Sequence, residues 1–409
     1  MKVLVLNCGS SSVKFELIET SLQAIEQTAD RTIARGAIEK IGTNSALINY
    51  YPAGAERHRD AREILDHETA VNLVVKLLTD GETPVISSPE EIDAVGHRIT
   101  HGGERFDHSV LIDEEVARAI SDCIDLAPLH NPHNLKGYQI AKKLLPEKPH
   151  AAVFDTAFHQ SIPPEAHLYA IPYVLYKRHG IRRYGFHGTS HRYMIFRIHK
   201  LLGLPRNGTS IVSCHLGSGC SVCAIRDGLS IDTSMGFTPL EGLVMGTRSG
   251  DLDPALLFHI MAKEDLGTHE INTMLNKHSG LIGLSGVSND MREIQEEIDN
   301  GNQRAIIARD VFVYRAAKYI ASYMAMIGKQ VHAIGFTAGI GENSPDIRRR
   351  ICERLSIFGI ELDEKANAEC IGTERRISTE NSRTAVYAIP TSEELVIARD
   401  TVRCVEGVL

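Results

Sequence analysis

The amino-acid sequence predicts an α/β fold made of two related domains, and three observations lead to this prediction. The chain has 409 residues, more than one hydrophobic core usually accommodates. Segments with strand-like patterning alternate with segments of helical periodicity. A strand–turn–strand pattern near the N-terminus also recurs near the middle of the chain. We therefore expect a duplicated α/β architecture that binds its ligands at the carboxyl ends of strands.

The repeated pattern is a pair of apolar strands joined by a glycine-bearing turn. It occurs at residues 3–18, around Gly9, and again at residues 210–225, around Gly217. A third glycine loop, at residues 337–344, also follows an apolar run. Such loops offer backbone N–H groups to phosphate oxygens with no bulky side chain in the way. Three of them in one chain predict a phosphate-binding site.

Three segments have apolar residues at the intervals of three and four positions that are typical of helices. Asp113 is suited to cap the second segment, and Gly328 is suited to end the third. The predicted helices cover residues 70–78, 116–124 and 303–327.

The composition excludes several classes of protein. The formal net charge of −8 provides no broad basic surface, so we expect no nucleic-acid partner. No segment reaches the roughly 20 apolar residues that span a bilayer, and the apolar run at residues 1–6 is too short for a signal peptide. The eight cysteines are scattered, which fits a reducing compartment, and we expect Cys220 and Cys223 to pack within a strand. We expect a cytoplasmic protein with no membrane partner.

Familiar nucleotide and zinc motifs do not match. No segment has the P-loop pattern Gly-x-x-x-x-Gly-Lys-Ser/Thr. Gly217 and Gly219 lack the third glycine of a dinucleotide fingerprint, because Val222 stands in its place. His187 and His191 have the spacing of a zinc-binding helix, but no glutamate follows His187. An NAD enzyme and a zinc hydrolase are therefore disfavoured.

Two arginines lie beside glycines in predicted loops. Arg98 comes shortly before Gly102 and Gly103, and Arg248 lies within the segment Met245-Gly-Thr-Arg-Ser-Gly-Asp251. Guanidinium groups match carboxylate and phosphate oxygens in a bidentate way, so the two residues predict an anion clamp. Asp155 ends an apolar strand, a position that favours a magnesium-binding or catalytic role.

Taken in order along the chain, the motifs resemble those of the acetokinase family and span nearly the whole sequence. They are Asn7-x-Gly-Ser-Ser-Ser-x-Lys14, His97-Arg98 with His101-Gly-Gly-Glu104, Ala127 to Pro132, Phe154-Asp155-Thr-Ala-Phe-His159, Tyr184 to His191, Asp232-Thr-Ser-Met-Gly-Phe-Thr-Pro239, Gly246-Thr-Arg248-Ser-Gly-Asp251 and Gly339-Ile-Gly-Glu-Asn343. The resemblance is specific because it does not depend on any single motif.

The resemblance implies the fold that acetate, sugar and glycerol kinases share with heat-shock-cognate ATPases and actin. This fold has two ribonuclease H-like domains with a nucleotide cleft between them. The C-terminal stretch returns to the first domain in this family, which implies a first domain of residues 1–157 plus 391–409 and a nucleotide-binding domain of residues 158–390. Homodimers are usual in the family.

The implied reaction is the reversible in-line transfer of the ATP γ-phosphate to acetate, which gives acetyl phosphate and ADP. The implied metal is Mg²⁺, for which Mn²⁺ can substitute. Three alternatives stay open at this point. They are the same chemistry on propionate or butyrate, a pyrophosphate-using variant, and an actin-like or heat-shock-cognate-like assembly protein that depends on nucleotide.

The resemblance also implies roles for individual residues. The metal residues are Asn7 and Glu393, the essential active-site acid is Asp155, and the transition-state stabilisers are His187 and Arg248. Arg98 binds the substrate carboxylate, His130 adjoins it, and the acyl pocket consists of Thr100, Leu129, Phe186 and Pro239. The nucleotide contacts are Lys14, His215, Leu216, Gly217, Ser218, Gly219, Asp290, Met291, Arg292, Gly339, Ile340, Gly341, Glu342 and Asn343.

Elementary acid–base chemistry corrects one of these roles. A carboxylic acid with a pKa of about 4.3 is ionised at pH 7, so acetate needs no general base to act as a nucleophile. We therefore expect Asp155 to orient Mg²⁺ or the arginines. The chain also departs from the family pattern at five positions, two of which, Cys8 and Cys220, replace small residues as packing changes. Ser218 and Ser392 stand where asparagine is usual, and the change at Ser218 leaves the identity of the phosphoryl donor open. Thr100 stands where valine is typical, which leaves the preferred acyl chain length open.

Overall fold

The computed structural model describes residues 1–409 and divides into two compact units. The first unit consists of Met1–Phe158 and Ser392–Leu409, and the second consists of His159–Thr391. Both junctions lie one residue later than the domain boundaries implied by the resemblance. No helix is both long and apolar enough to cross a lipid bilayer.

The first unit is built on an eight-stranded sheet with the order β5-β4-β3-β2-β1-β6-β8-β7. Its strands are β1 (Lys2–Cys8), β2 (Ser12–Glu19), β3 (Arg31–Glu39), β4 (Thr43–Pro52), β5 (His58–Ile64), β6 (Ala94–Ile99), β7 (Val110–Leu111) and β8 (His150–Phe154). Its helices are α1 (Leu22–Gln27), α2 (His67–Thr79), α3 (Glu114–Asp122), α4 (Asn131–Leu144) and the C-terminal helix α16 (Glu393–Val405).

The second unit is built on a six-stranded sheet with the order β11-β10-β9-β12-β14-β13. Its strands are β9 (Ile211–Leu216), β10 (Cys220–Arg226), β11 (Leu229–Thr233), β12 (Ala333–Thr337), β13 (Arg375–Arg376) and β14 (Ala385–Ala388). Its helices are α5 (Pro164–His167), α6 (Tyr173–His179), α7 (Gly188–Leu202), α8 (Pro254–Glu264), α9 (Thr268–Lys277), α10 (Gly280–Ser285), α11 (Met291–Asp299), α12 (Gln303–Ile327), α13 (Ala338–Asn343), α14 (Pro345–Arg354) and α15 (Glu364–Glu369).

The two sheets share a local strand order, of which the repeated sequence pattern predicted the two hairpins. In the first unit, β1 pairs antiparallel with β2 and parallel with β6. In the second unit, β9 pairs antiparallel with β10 and parallel with β12. The first and second glycine loops therefore form the turns of equivalent hairpins, and the third follows the parallel neighbour β12. All three loops adjoin a carboxyl end of a strand.

The predicted helices are present, with ends set by local capping. Asp113 accepts a hydrogen bond from the Val116 N–H and so starts α3, which gives way to a 3₁₀ turn at Cys123–Leu126. Asn302 caps α12 in the same way, and Gly328 ends that helix in the left-handed region with a φ of 68°.

Each unit has its own apolar core. In the first unit, α16 contributes Ile397 and Val402 to a cluster with Val3, Val5 and Val153 on the sheet. In the second, α12 packs against β10 and β9 and contributes Phe312 and other side chains to the largest cluster. Cys220 and Cys223 are fully buried in β10 and carry free thiols, as predicted for packing residues.

Candidate functional site

The first unit gathers three of the predicted site residues around one guanidinium. Arg98 lies in β6, Asn7 lies in the neighbouring β1, and Asp155 directly follows β8 on the other side. The Arg98 guanidinium donates to both carboxylate oxygens of Asp155, with 3.3 Å between Nε and Oδ1. Its Nη1 lies 3.4 Å from the Asn7 amide oxygen. Three adjacent strands thus fix the orientation of Arg98.

The electrostatics of this cluster favour a permanent positive charge on Arg98. Burial alone would lower the pKa of Arg98, but the negative charges of Asp155 and Glu393 raise it above its ordinary value. Glu393 is the first residue of α16, and its neighbour Glu394 has a raised pKa because of burial and the adjacent charge of Glu393. The second carboxyl of this pair is therefore easier to protonate than an exposed glutamate.

Lys14 and the predicted substrate residues Thr100, Leu129 and His130 also lie in the first unit, whereas Phe186 and Pro239 lie in the second. Lys14 is opposite Asn7 in the β1–β2 pair and lines a cavity of about 380 Å³ together with Glu394. Leu129 is 63% exposed, and His130 precedes α4. Thr100 is buried, and its backbone N–H donates to the Asn134 side chain at 2.9 Å, but its hydroxyl oxygen has no hydrogen-bond partner. Burial of the Thr100 hydroxyl without a hydrogen bond thus has a cost in stability.

In the second unit, His187 occupies an unusual backbone position. It immediately precedes α7 with a φ of 57°, in the left-handed region that residues with a Cβ atom rarely adopt. Its Nδ1 lies 2.9 Å from the hydroxyl oxygen of Ser221, and its ring stacks on His215 with the centroids 4.0 Å apart. His215 in turn contacts the Ser190 hydroxyl at 2.8 Å.

Arg248 is the second cation of this region, and it has no carboxylate partner. Its Nη1 lies 3.4 Å from the Pro239 carbonyl oxygen and 3.7 Å from the Met245 sulfur. Burial lowers the pKa of Arg248, since no neighbouring acid opposes the cost of desolvation. A partly buried guanidinium in such surroundings is stabilised when an anion binds to it.

The missing side chain of Gly219 brings these two groups together. A Cβ atom added at Gly219 would lie 3.5 Å from Arg248 Nη1 and 3.5 Å from His187 Nε2. Both donors therefore face the space beside the second glycine loop. A glycine at this position keeps that space open for oxygen atoms of a ligand.

A cavity of about 930 Å³ lies next to the same loop, within the second unit. Eight of the predicted nucleotide contacts line it, namely Gly217, Ser218, Asp290, Met291, Arg292, Gly339, Ile340 and Asn343. Ser344, from the predicted third glycine loop, lines it too, and the sequence did not indicate the other lining residues, Asn289, Gln295, Pro345, Asp346 and Ile371. Its size falls in the range of pockets for small organic ligands and cofactors.

Other predicted nucleotide residues have structural contacts instead of lining this cavity. Leu216 is fully buried in the core, and Gly341 packs against Phe336. The Glu342 carboxylate accepts hydrogen bonds from the backbone N–H groups of Ala338, at 2.8 Å, and Thr391, at 2.9 Å. Leu216 belongs to the end of β9, and Gly341 and Glu342 shape the third loop. The predicted nucleotide roles of all three stay predictions.

The third loop also has a support that its motif does not reveal. Arg348 in α14 is completely buried and donates to the carbonyl oxygens of Gly341, at 2.8 Å, and Glu342, at 2.9 Å. It donates further to the Asn367 side chain and the Cys370 carbonyl. Arg348 thus fixes the backbone from which the loop presents Gly339 to the cavity.

Comparison with known proteins identifies the family of this chain. The model of the acetokinase family matches residues 2–399. The chain belongs to the acetokinase family. Acetate kinases of Symbiobacterium thermophilum and Thermotoga maritima are each 51% identical to it, over 407 and 410 residues, with complete coverage of both chains.

Solved structures of the acetokinase family agree with this fold. The acetate kinase of Porphyromonas gingivalis is 44% identical and matches with a TM-score of 0.92, with 99% of each chain covered. A propionate kinase of Francisella tularensis is 41% identical and matches with a TM-score of 0.89, with 98% of each chain covered. The duplicated, actin-like ATPase fold predicted for this chain is therefore confirmed.

The residues around Arg98 fit the Mg²⁺ ion that an acetokinase implies. The Asn7 amide oxygen lies beside the Arg98 guanidinium, and the negative charges of Asp155 and Glu393 act on the same guanidinium. Mg²⁺ prefers oxygen ligands, keeps several waters and needs only one or two carboxylates besides substrate phosphates. The chain does not gather three or more acidic, histidine or cysteine side chains into an all-protein metal site, and Mg²⁺ bound with a nucleotide does not require one.

Proposed function

We propose that this chain is an ATP:acetate phosphotransferase that forms acetyl phosphate and ADP and runs in both directions. The observation that carries the proposal is the pair of donors at Gly219, Arg248 Nη1 and His187 Nε2, beside a cavity large enough for a nucleotide. Membership of the acetokinase family and the acetate kinases at 51% identity support it.

In this proposal the second unit binds ATP and stabilises the phosphoryl group in transfer. The cavity takes the nucleoside, and the loops at Gly217 and Gly339 present backbone N–H groups to the phosphates. Arg248 and His187 donate to the equatorial oxygens, where negative charge lies in the transition state. An uncompensated guanidinium suits this role because its charge is not already neutralised by a protein carboxylate.

The first unit binds acetate and the metal. Arg98 has donors beyond those committed to Asp155 and Asn7, and these are available to the acetate carboxylate. Asn7 and Glu393 would hold Mg²⁺, which supplies charge neutralisation on the phosphate oxygens when bound. Mn²⁺, which shares the preference for oxygen ligands, would substitute.

Asp155 acts on Arg98 and the metal site and not as a general base. Its two carboxylate oxygens bind the guanidinium, which leaves them poorly placed to accept a proton from a substrate. Acetate is already ionised at neutral pH and needs no such base. Asp155 therefore orients the group that binds acetate.

We also infer a cytoplasmic homodimer, as is usual in the family. All eight cysteines are free thiols, which is typical of a reducing compartment.

Helix α8 in the second unit has no buried residue although it contains Leu256 and Phe258, which are 44% and 73% exposed. Apolar side chains of this size favour contact with a second copy. Light scattering coupled to size-exclusion chromatography tests this, and a mass near the monomer value of 45.1 kDa contradicts it.

The central experiment traps the acyl phosphate product with hydroxylamine. The purified chain receives acetate, propionate or butyrate, each with Mg-ATP or with magnesium pyrophosphate. We expect hydroxamate with Mg-ATP, and kcat/KM about tenfold higher for acetate than for propionate, because one methylene is worth about 1 to 3 kcal/mol. Product with pyrophosphate alone would show a different phosphoryl donor. Absence of hydroxamate in every arm would contradict the proposal.

A further inference from the structure

His187 is held from behind by a chain of buried polar side chains that the proposed reaction does not use directly. The Ser221 hydroxyl oxygen lies 2.9 Å from His187 Nδ1 and 2.8 Å from His191 Nε2. The other ring nitrogen of His191, Nδ1, lies 2.8 Å from the Ser213 hydroxyl oxygen. The chain thus runs from β9, through α7 and β10, to the ring of His187.

Solvent has no access to the inner members of this chain. Ser213, Ser221 and His191 each have 0% of their surface exposed. Burial and the nearby rings of His159 and His215 hold the pKa of His191 well below 6.5. At neutral pH His191 is therefore uncharged and carries a single ring N–H.

The hydroxyl of Ser221 restricts the protonation of both rings. It has one hydrogen, so it donates to one ring nitrogen and accepts from the other. When His191 donates from Nε2, Ser221 donates to His187 Nδ1, and the proton of a neutral His187 must then be on Nε2. The Cε1–Nε2 edge of the ring faces the space beside Gly219, so Nε2 is the ring nitrogen on the side where a phosphoryl oxygen needs a donor. The Ser213 hydroxyl can rotate to donate to His191 Nδ1, so every member of this arrangement has its hydrogen bond.

The strained backbone of His187 gives the hydrogen bond from Ser221 a second role. A φ of 57° costs a residue with a Cβ atom about 1 to 2 kcal/mol, and such strain persists only where surrounding contacts maintain it. The Ser221 hydrogen bond, together with the stack on His215, supplies contacts to the ring of this strained residue.

We propose that Ser221, supported by His191, is a positioning residue that holds the His187 ring with Nε2–H directed at the transferred phosphoryl group. The inference rests on the proposed function, since it specifies the orientation of His187, one of the two residues that donate hydrogen bonds to the phosphoryl group. It assigns to the Ser213–His191–Ser221 chain the control of the tautomer and rotamer of His187.

The first test is Ser221→Ala. We expect kcat to fall about 10- to 100-fold, the range typical for loss of a residue that orients a functional group, with KM for acetate and ATP changed less than threefold. In a variant that already carries His187→Ala, the same substitution should change kcat less than twofold, because Ser221 acts only through His187. Independent losses that multiply in the double variant would overturn the inference.

Ser230→Ala is the matched control. Ser230 is also a fully buried serine, in the adjacent strand β11, and its hydroxyl contacts a histidine, with 2.8 Å to His159 Nδ1. We expect a thermal shift similar to that of Ser221→Ala but kcat within twofold of the unmodified chain. Ser221→Thr, which keeps a hydroxyl, should recover most of the lost kcat. Equal losses in Ser230→Ala, or no recovery in a folded Ser221→Thr, would reduce Ser221 to a packing residue and overturn the inference.

A spectroscopic measurement separates this inference from the proposed function. Long-range ¹H–¹⁵N correlation spectra of the ¹⁵N-histidine-labelled chain report which ring nitrogen is protonated, with or without turnover. His187→Gln assigns the His187 signals. We expect a neutral His187 protonated at Nε2, and a mixture of tautomers in Ser221→Ala. A His187 ring protonated at Nδ1, or a tautomer that Ser221→Ala does not change, contradicts the positioning role even where acetate is phosphorylated. Absence of hydroxamate with the unmodified chain contradicts the proposed function alone.

Discussion

Arg98 in the first unit and Arg248 in the second have opposite surroundings. Asp155 contacts Arg98 through both carboxylate oxygens, and the neighbouring acids raise the pKa of Arg98. Arg248 contacts only a carbonyl oxygen and a sulfur, and burial lowers its pKa. One charge is balanced before any ligand binds, and the other is not.

This difference separates two kinds of anion recognition. A guanidinium clamped by a carboxylate is rigid and gains little from a further negative charge, which suits selection and orientation of a small carboxylate. A guanidinium without an acid stabilises most strongly the ligand state that carries the most charge nearby, which suits a phosphoryl group in transfer. Substitutions on the two sides should therefore affect different kinetic parameters.

The largest expected effect is that of Arg248→Ala. We expect kcat to fall about a thousandfold, the lower end of the range for arginines that stabilise phosphoryl transfer, with KM for acetate within about threefold. Arg197→Ala, which breaks the 2.8 Å pair with Glu374 in the same unit, should retain kcat. Inorganic phosphate should raise the melting temperature of the unmodified chain and not of Arg248→Ala. A large KM effect without a kcat effect would remove the contrast.

Asp155→Asn should lower kcat/KM for acetate about a hundredfold, because Arg98 loses the carboxylate that orients it. The pH–rate profile should keep its shape, since Asp155 does not accept a proton. Loss of a basic limb with the metal dependence retained would show instead that Asp155 is a base. Asp30→Asn is the matched control, because it breaks another buried ion pair of the first unit, to Arg399. Both variants should lose roughly 3 kcal/mol of stability, whereas only Asp155→Asn should lose activity.

Arg98→Ala should raise KM for acetate roughly 30-fold and lower kcat by a smaller factor, since a charge-assisted hydrogen bond to the substrate is worth about 1.5 to 3 kcal/mol. KM for ATP should change little, because the cavity and glycine loops that line it belong to the second unit. Initial-rate measurements with each substrate varied separately provide the test. Equal changes of both parameters in Arg98→Ala and Arg248→Ala would contradict the division between the two arginines.

The smallest expected effect comes from Thr100→Val, which removes a buried hydroxyl group that has no hydrogen-bond partner. The Thr100 hydroxyl is buried without a hydrogen-bond partner, so its replacement by a methyl group should stabilise the chain by about 1 kcal/mol. The melting temperature should rise about 2 °C. In Thr401→Val, where the lost hydroxyl is bonded to the Ile397 carbonyl at 2.8 Å, no such gain is expected. A lower melting temperature for Thr100→Val would mean that the hydroxyl has a partner in solution.

Local signals were sufficient to predict most of the architecture. The hairpins at Gly9 and Gly217 and helices α3 and α12 depend on patterns within about 25 residues, including the cap at Asp113 and the terminating Gly328. The duplicated fold itself required recognition of the family motifs. Repetition of strand–turn–strand segments indicated related domains but not which strands become parallel neighbours.

The parts of the site that the sequence did not reveal depend on residues far apart in the chain. Ile371 lines the nucleotide-sized cavity from a distant part of the chain. Asn289 and Gln295 line it beside the predicted segment 290–292 and belong to no glycine motif. Ser221 and Arg348 act on motif residues from neighbouring elements through hydrogen bonds. Such contacts follow from the packing of the second unit, and no spacing rule within a short window could have identified them.

Helix α16 has a consequence for the order in which the chain can fold during synthesis. It supplies Ile397 and Val402 to the first unit's core, and Arg399 forms a buried pair with Asp30. A Cβ atom at Gly96 in β6 would lie only 2.4 Å from the Thr401 hydroxyl, so this helix fits against the sheet without spare room. The ribosome completes the uninterrupted segment His159–Thr391 before it makes α16. The N-terminal strands are translated first, but their core can therefore close only after α16 has been synthesised.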